Sequence, residues 1–385
     1  MNHWNRRSKC APACVALLAA GAGCLGFPAL AAEEMDHSQH RQQSEHAHHD
    51  TGRDELGRRL YGMKHQMSPE MIRELRQNVP LYRNYTDAQI NLSMEQMGHE
   101  YMWYISPPEL KADQGVLILL HGFRERGDKV FRDEVQPIAD VLPTALGVGM
   151  AMMMSDHIQL ALDDLQAAGA KEIVVVPVVS TENNEMYRQW LWIFGKRDQV
   201  QFATVPRVKT DAKVYFVPPP GDDPLIAEIL LDYATEISTD PKNEVVIITA
   251  HGPTDAKDHE KDLALLNGLA KIVKEDGGFA DVYAASLQDD APTEIREANV
   301  KKLRAMVETA QKNGKKVLIV TNLVGARTIQ AKLRDDLKGL DFTFNAKGIV
   351  QHDNFVKWMG EAIRTALEKK SVGRTDSADS IACVC

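Results

Sequence analysis

Two apolar runs in this chain end in the same dipeptide. GVLILLHG (115–122) and VVIITAHG (245–252) place His121 and His251 130 residues apart, each followed by glycine. Runs this apolar, with no polar alternation, read as strands buried on both faces, the mark of a parallel sheet covered by helices. Their surroundings repeat as well. DKVFRDEVQPIADVL follows the first run and DHEKDLALLNGLAKIV the second, both with helical spacing. A helix and a β-branched strand come next: SDHIQLALDDLQAAGAKEIVVVPVV in one copy, EANVKKLRAMVETAQKNGKKVLIVTNLV in the other. KVYFVPPPGDDPLIAEILLDYA and FTFNAKGIVQHDNFVKWMGEAI close the two copies. The pattern predicts an α/β fold of two tandem doubly wound parallel-sheet units, residues 114–238 and 239–370. In such sheets ligands bind outside the carboxyl ends of the strands, where both His-Gly pairs fall. The glycine permits a sharp turn that leaves the imidazole facing the cleft. One histidine at a strand end is commonly structural; the same histidine at the same point of two copies points to a shared or ancestral site.

The segments outside the repeat read differently. Arg6, Arg7 and Lys9 precede an Ala-rich apolar run that ends in Ala29-Leu30-Ala31, the pattern of a cleaved export signal over residues 1–31. Gly21, Gly23 and Pro28 interrupt the run, which suits cleavage better than a membrane span. The expected product is exported to the periplasm, with no integral span once the signal is removed. Lipid attachment at Cys24 and twin-arginine export through Arg6-Arg7 are the alternative routes, each with an incomplete context. Beyond the signal only Cys383 and Cys385 remain, in a CVC terminus that reads as a frayed tail (371–385) or a small metal or cross-linking site. Residues 32–54 form a leader too polar for a core. It carries His37, His40, His46, His48 and His49, suited to loose capture of Zn, Ni, Cu or Co, with a solubilising linker as the plain alternative. Residues 55–113 read as a helical extension, from stretches such as MSPEMIRELRQNV and TDAQINLSMEQMGHEYMWYI. With 45 Lys plus Arg against 54 Asp plus Glu, the net charge of −9 argues against nucleic acid as a partner.

The HG-ending strand with its charged loop, the GAKEIVVVPVV strand and the PPPGDDPLIAEIL element, in that order, resemble the CbiX-type sirohydrochlorin chelatases. The duplication resembles their long form, and the resemblance spans roughly residues 114–370. Ferrochelatases and CbiK-type cobaltochelatases share this class II chelatase fold. The resemblance implies insertion of Co²⁺, Fe²⁺ or Ni²⁺, as substrate, into sirohydrochlorin or a related tetrapyrrole, with no organic cofactor. His121 falls on the family's metal-binding position. The family's second histidine follows the PVV-type strand. Here that loop reads STENNEMYRQW and places Glu185 in the nearest register, with Glu182 close by. The second copy reads VGARTIQ and offers neither histidine nor acid.

His121 with Glu185 would make a harder site than two imidazoles. His251 would complete it if the two halves face one cleft, and Glu185 could equally serve as base. Arg124 and Arg126 suit the carboxylates of the macrocycle, or form an exposed charged loop. His157, within a helix, His259, on a solvated helix face, and His352, after the last strand, are weaker candidates. Tyr187, Trp190, Trp192, Phe194 and the Met152–Met154 cluster offer either a surface for a flat ring or ordinary core. The alternative function is a non-catalytic periplasmic metal- or tetrapyrrole-binding protein. A hydrolase is excluded by the lack of a G-x-S-x-G elbow. Because one chain supplies both halves, a monomer is expected.

Overall fold

The structure is a computed structural model and describes residues 52–61, 67–96, 100–149, 155–325 and 328–378. The expected signal, residues 32–51 of the leader with all its histidines, the Met152–Met154 cluster and the terminal cysteines lie outside the described residues.

Among the described residues ten strands form two sheets. The first contains β1 (Arg58–Tyr61), β2 (Glu100–Tyr104), β3 (Gln114–Leu120), β4 (Thr144–Val148), β5 (Glu172–Pro177) and β6 (Lys213–Phe216), in the order β1-β2-β4-β3-β5-β6. The second contains β7 (Glu244–Ala250), β8 (Asp281–Ser286), β9 (Lys316–Thr321) and β10 (Thr343–Phe344), in the order β10-β9-β7-β8. Strands β3 to β6 are parallel, as are β7 to β10. Both parallel sets have the same order, second-first-third-fourth: β4-β3-β5-β6 and β8-β7-β9-β10. The expected architecture of two tandem parallel-sheet units is therefore the one observed.

The continuous apolar runs explain why these strands are central. Val116 to Leu120 and Val246 to Ile248 are almost wholly buried, and each large side chain so buried contributes about 1.5–3 kcal/mol. The helices are α1 (Pro69–Asn78), α2 (Asp87–Gln96), α3 (Arg124–Glu134), α4 (Gln136–Ala139), α5 (Asp156–Ala167), α6 (Glu185–Ile193), α7 (Pro224–Thr235), α8 (Ala256–Gly277), α9 (Thr293–Lys312), α10 (Thr328–Asp336) and α11 (Asp353–Ala378). The facing sides of the sheets share one core. Ile118, Val174 and Val176 join Val246, Ile248 and Leu318 in it, with Ile229 of α7, Leu269 of α8 and Met359 of α11. The outer faces are closed separately, by α5 and α6 over the first sheet and by α9 and α10 over the second. At the centre Tyr233 donates to the carbonyl of Gly348 at 3.0 Å, tying one unit to the other.

The N-terminal extension is only partly helical. The run read as one amphipathic helix through Ile105 is α2 followed by strand β2, and residues 58–61 form β1. EYMWY is rich in residues that suit a strand, and the exposed edge of β4 decides its state. Paired there, it buries Met102 on one face and Tyr101 and Trp103 on the other. Among the described residues no helix is long and apolar enough to cross a membrane.

Candidate functional site

Each central strand ends in its His-Gly pair, and the glycines are required there. Gly122 has φ 96° and Gly252 φ 76°, a region L side chains avoid. A Cβ on Gly252 would also lie 2.0 Å from Ser286 Oγ. The turn after His121 is held from beneath by Asp128. This buried carboxylate accepts the Phe123 N–H and, at 2.7 Å, the Tyr101 hydroxyl. Burial pushes the Asp128 carboxyl above its usual range, and burial with the adjoining Asp128 charge raises the Tyr101 phenol. Phe123 meets the His121 ring edge-on at 5.7 Å and packs against Gly325 after β9, where a Cβ would come within 2.5 Å of its ring. The first HG loop thus rests on the second unit.

His251 faces the same cleft. Its Nδ1 lies 3.0 Å from the Gly252 carbonyl, and its Nε2 lies 3.4 Å from Asp290 Oδ2. Asp290 is placed by the turn after β8. Gln288 adopts φ 50°, turning the chain so that Asp289 points inward and Asp290 outward. Asp289 is locked between Arg296 at 2.7 Å and Lys332 at 2.5 Å, and its N–H donates to the His251 carbonyl. His251, Asp289 and Asp290 present ligand atoms within 4.8 Å of one another. The Phe123 contact on Gly325 sets the end of β3 against the second unit, and from there the His251 charge acts on His121 and the His121 charge on Asp290.

The two imidazoles differ in charge. Both are recessed among protein atoms yet open to solvent at their edges. For His121, desolvation lowers the pKa, reinforced by repulsion from His251, so the ring is neutral at pH 7. For His251, desolvation is outweighed by the Asp290 carboxylate, and the pKa is raised to about 9. Asp290 is correspondingly held below the usual carboxylate range, against its own desolvation. The stability contributed by the His251–Asp290 pair is full from the acid range in which Asp290 ionises up to about pH 6.5; it is lost as pH rises through about 9, and lost again in acid as Asp290 takes up its proton. Imidazole NMR titration should find His251 titrating well above His121, and Asp290→Asn should bring His251 down toward its ordinary value. Equal midpoints for the two rings would contradict this assignment.

Glu185 stands at the start of α6 and is engaged across the units. Its Oε1 accepts both the N–H and the hydroxyl of Thr254, each at 2.8 Å. Neighbouring residues make the same crossing. Thr181 and Asn183 donate to Asp262 at 2.7 and 2.8 Å, and Arg188 pairs with Asp258 at 2.5 Å. That hydrogen bond holds Asp258 below its usual carboxylate range. The STENNE loop is therefore a clamp on the N-terminus of α8, and Glu185 lies outside the His251-Asp289-Asp290 group.

Arg124 and Arg126 are exposed at the head of α3 with no ion pair among the described residues, and Arg124 has φ 63°. His157 is buried, its pKa driven by burial to about 3. His259 is half-buried against Ser286 at 3.2 Å rather than on a solvated face. His352 pairs with Asp232 at 3.1 Å and packs on Tyr233. Tyr187, Trp190 and Trp192 belong to the core over the first sheet, and Phe194 packs on Phe216 at 5.1 Å. Core packing accounts for these aromatics. Sequence reasoning missed Asp128, Asp289 and Asp290. The run SLQDD at the end of the β8 strand was the available signal, since acids at a strand's carboxyl end fall at the ligand cleft.

No family model and no curated protein matches this chain. Its fold is of the class II chelatase-like kind, two parallel-sheet units packed on one shared core. SirB from Bacillus subtilis, solved with Fe³⁺, is similar at a TM-score of 0.50 and 17% identity, over 68% of this chain and 98% of that one. A multi-domain protein from Deinococcus radiodurans, described as structurally similar to chelatases with two additional novel domains, aligns at a TM-score of 0.41 and 17% identity. That alignment covers 66% of this chain and 54% of that one.

Proposed function

We propose that this chain is a metal chelatase that inserts Co²⁺, Fe²⁺ or Ni²⁺ into sirohydrochlorin or a related tetrapyrrole. The observation that carries this reading is the convergence of His121 with the His251–Asp290 pair at the facing strand ends. Chelation needs donors that hold a divalent ion and then release it. Neutral His121 offers a nitrogen lone pair at pH 7, and Asp290 offers a carboxylate oxygen. His251 can join once its proton leaves, so the ion is held by ligands that exchange. Insertion also releases two pyrrole protons, for which an open cleft with a carboxylate provides an exit. Arg124 and Arg126 at the rim suit the acidic side chains of the macrocycle. In this reading the export signal directs the enzyme to the periplasm, and His37, His40, His46, His48 and His49 collect metal ahead of the cleft.

One observation favours the second reading, a binding protein without turnover. Glu185, the residue in register with the family's second histidine, has Oε1 committed to Thr254. If Glu185 is a clamp and not a ligand, Glu185→Gln, which keeps the accepting oxygen, should leave insertion within about twofold of the parent. A tenfold or greater loss, the scale of a lost metal contact, would make it a ligand. The deciding experiment mixes the protein anaerobically with sirohydrochlorin and Co²⁺ or Fe²⁺ and follows the visible spectrum against a protein-free control. Acceleration supports a chelatase, a spectral shift without acceleration supports the binding protein, and no response removes both.

A further inference from the structure

Two non-glycine residues among the described ones lie at positive φ. Arg124 is exposed; Gln288, at φ 50°, is 5% exposed. A side chain is disfavoured in that region, and glycine would sit there freely. Where a larger residue persists, its surroundings over-determine it, and such positions cluster at functional sites. Here the surroundings are hydrogen-bond partners. Gln288 Nε2 donates to the Pro253 carbonyl at 3.0 Å and to the Thr254 carbonyl at 3.4 Å, and its Oε1 accepts from Asn299 Nδ2 of α9 at 3.1 Å. Pro253 and Thr254 belong to the turn that follows His251 and Gly252. The amide therefore bridges the loop after β8 to the loop after β7.

The groups around the bridge are anchored, with one exception. Asp289 is fixed by Arg296 and Lys332, and the Ala291 N–H closes the turn on the Gln288 carbonyl at 2.9 Å. The far side of the 252–254 turn is fixed by Glu185 through Thr254. Asp290 has no such anchor. Its side chain is 57% exposed, and among the described residues its carboxylate has no hydrogen bond or ion pair besides the 3.4 Å contact with His251. That contact takes one residue from each loop, so its length is set by how the loops are joined.

We infer that Gln288 is a positioning residue: its side-chain bridge holds Asp290 within reach of His251, and so fixes the spacing of two donors for a divalent ion. The ion rests on the proposed chelatase reading; the bridge does not. The role also accounts for the residue type. Glycine would relieve the backbone but lose the bridge, Asn would tolerate the turn but is a methylene shorter, and Glu would set a carboxylate against two carbonyl oxygens. Partners that orient ligands without touching the ion are worth about ten- to a hundredfold in metal affinity.

Gln288→Gly isolates the bridge, because glycine keeps the left-handed turn available. Crystal structures of the full chain and of this variant compare the His251–Asp290 contact directly. Co²⁺ titrations at pH 7, followed by visible absorption, compare affinity, and the signal lost in His251→Ala defines the cleft's share, whatever the leader histidines bind. With circular dichroism unchanged, the contact should open beyond hydrogen-bond reach and the cleft's affinity should fall about tenfold. Gln288→Met, which keeps the bulk but cannot donate, should do the same. A contact no different in the two variants, or a cleft affinity unchanged although the contact opens, overturns the proposal. A contact that opens in a protein whose Co²⁺ signal has no share from His251 overturns the chelatase reading and leaves the bridge standing.

Discussion

On the proposed chelatase reading, replacing His121 with alanine should slow Co²⁺ insertion into sirohydrochlorin at least about a hundredfold, while global stability changes by no more than about 0.5 kcal/mol. The two effects separate because of where the side chain sits. The ring is exposed at the cleft and makes an edge contact with Phe123, so its removal opens no cavity. It is also the imidazole of the pair that is uncharged at neutral pH, because desolvation and the nearby His251 charge both disfavour its proton. A divalent ion entering at pH 7 meets that lone pair first, whereas His251 must lose a proton held by Asp290. Stopped-flow insertion kinetics and a urea titration on the same sample check both halves. An unchanged rate with unchanged stability would remove His121 from the chemistry.

Replacing Asp128 with alanine should do the reverse, costing about 2–4 kcal/mol of stability. This carboxylate is 4% exposed and takes both the Phe123 N–H and the Tyr101 hydroxyl. Without it two buried donors lose their acceptor, each at about 1–3 kcal/mol, and the turn that presents His121 loses its support. Asp128→Asn, which keeps an oxygen for the Phe123 amide, should recover most of the loss, and Tyr101→Phe should cost about 1 kcal/mol. Denaturant midpoints measure all three. Alanine as stable as the parent would show that the turn is held by packing alone.

Both residues lie on one short stretch, yet only His121 was legible beforehand. Its strand, its glycine and its repetition at His251 are local features, readable from composition and spacing. Asp128 looked like one more charge on a polar helix. Its burial follows from β2, and β2 was itself read as helix because EYMWY is too short for periodicity to settle its state. Glu185 was placed in register with a family ligand on sequence order alone. The structure instead brings Thr254 to its carboxylate, a contact across 69 residues that no local pattern encodes. Asp290 shows the same limit, since it becomes a candidate only when the β8 turn carries it to His251.

The sequence by itself determined the parallel α/β class, the two units and the strand ends where chemistry can occur. These follow from continuous apolar runs and helical spacing, which act within a few residues. The tertiary structure alone decided that the first HG loop rests on the second unit, that His251 is charged while His121 is neutral, and that among the described residues β4 is covered while β8 is not. Those outcomes depend on desolvation and on charges brought together from distant parts of the chain, and such energies exist only after the units have packed.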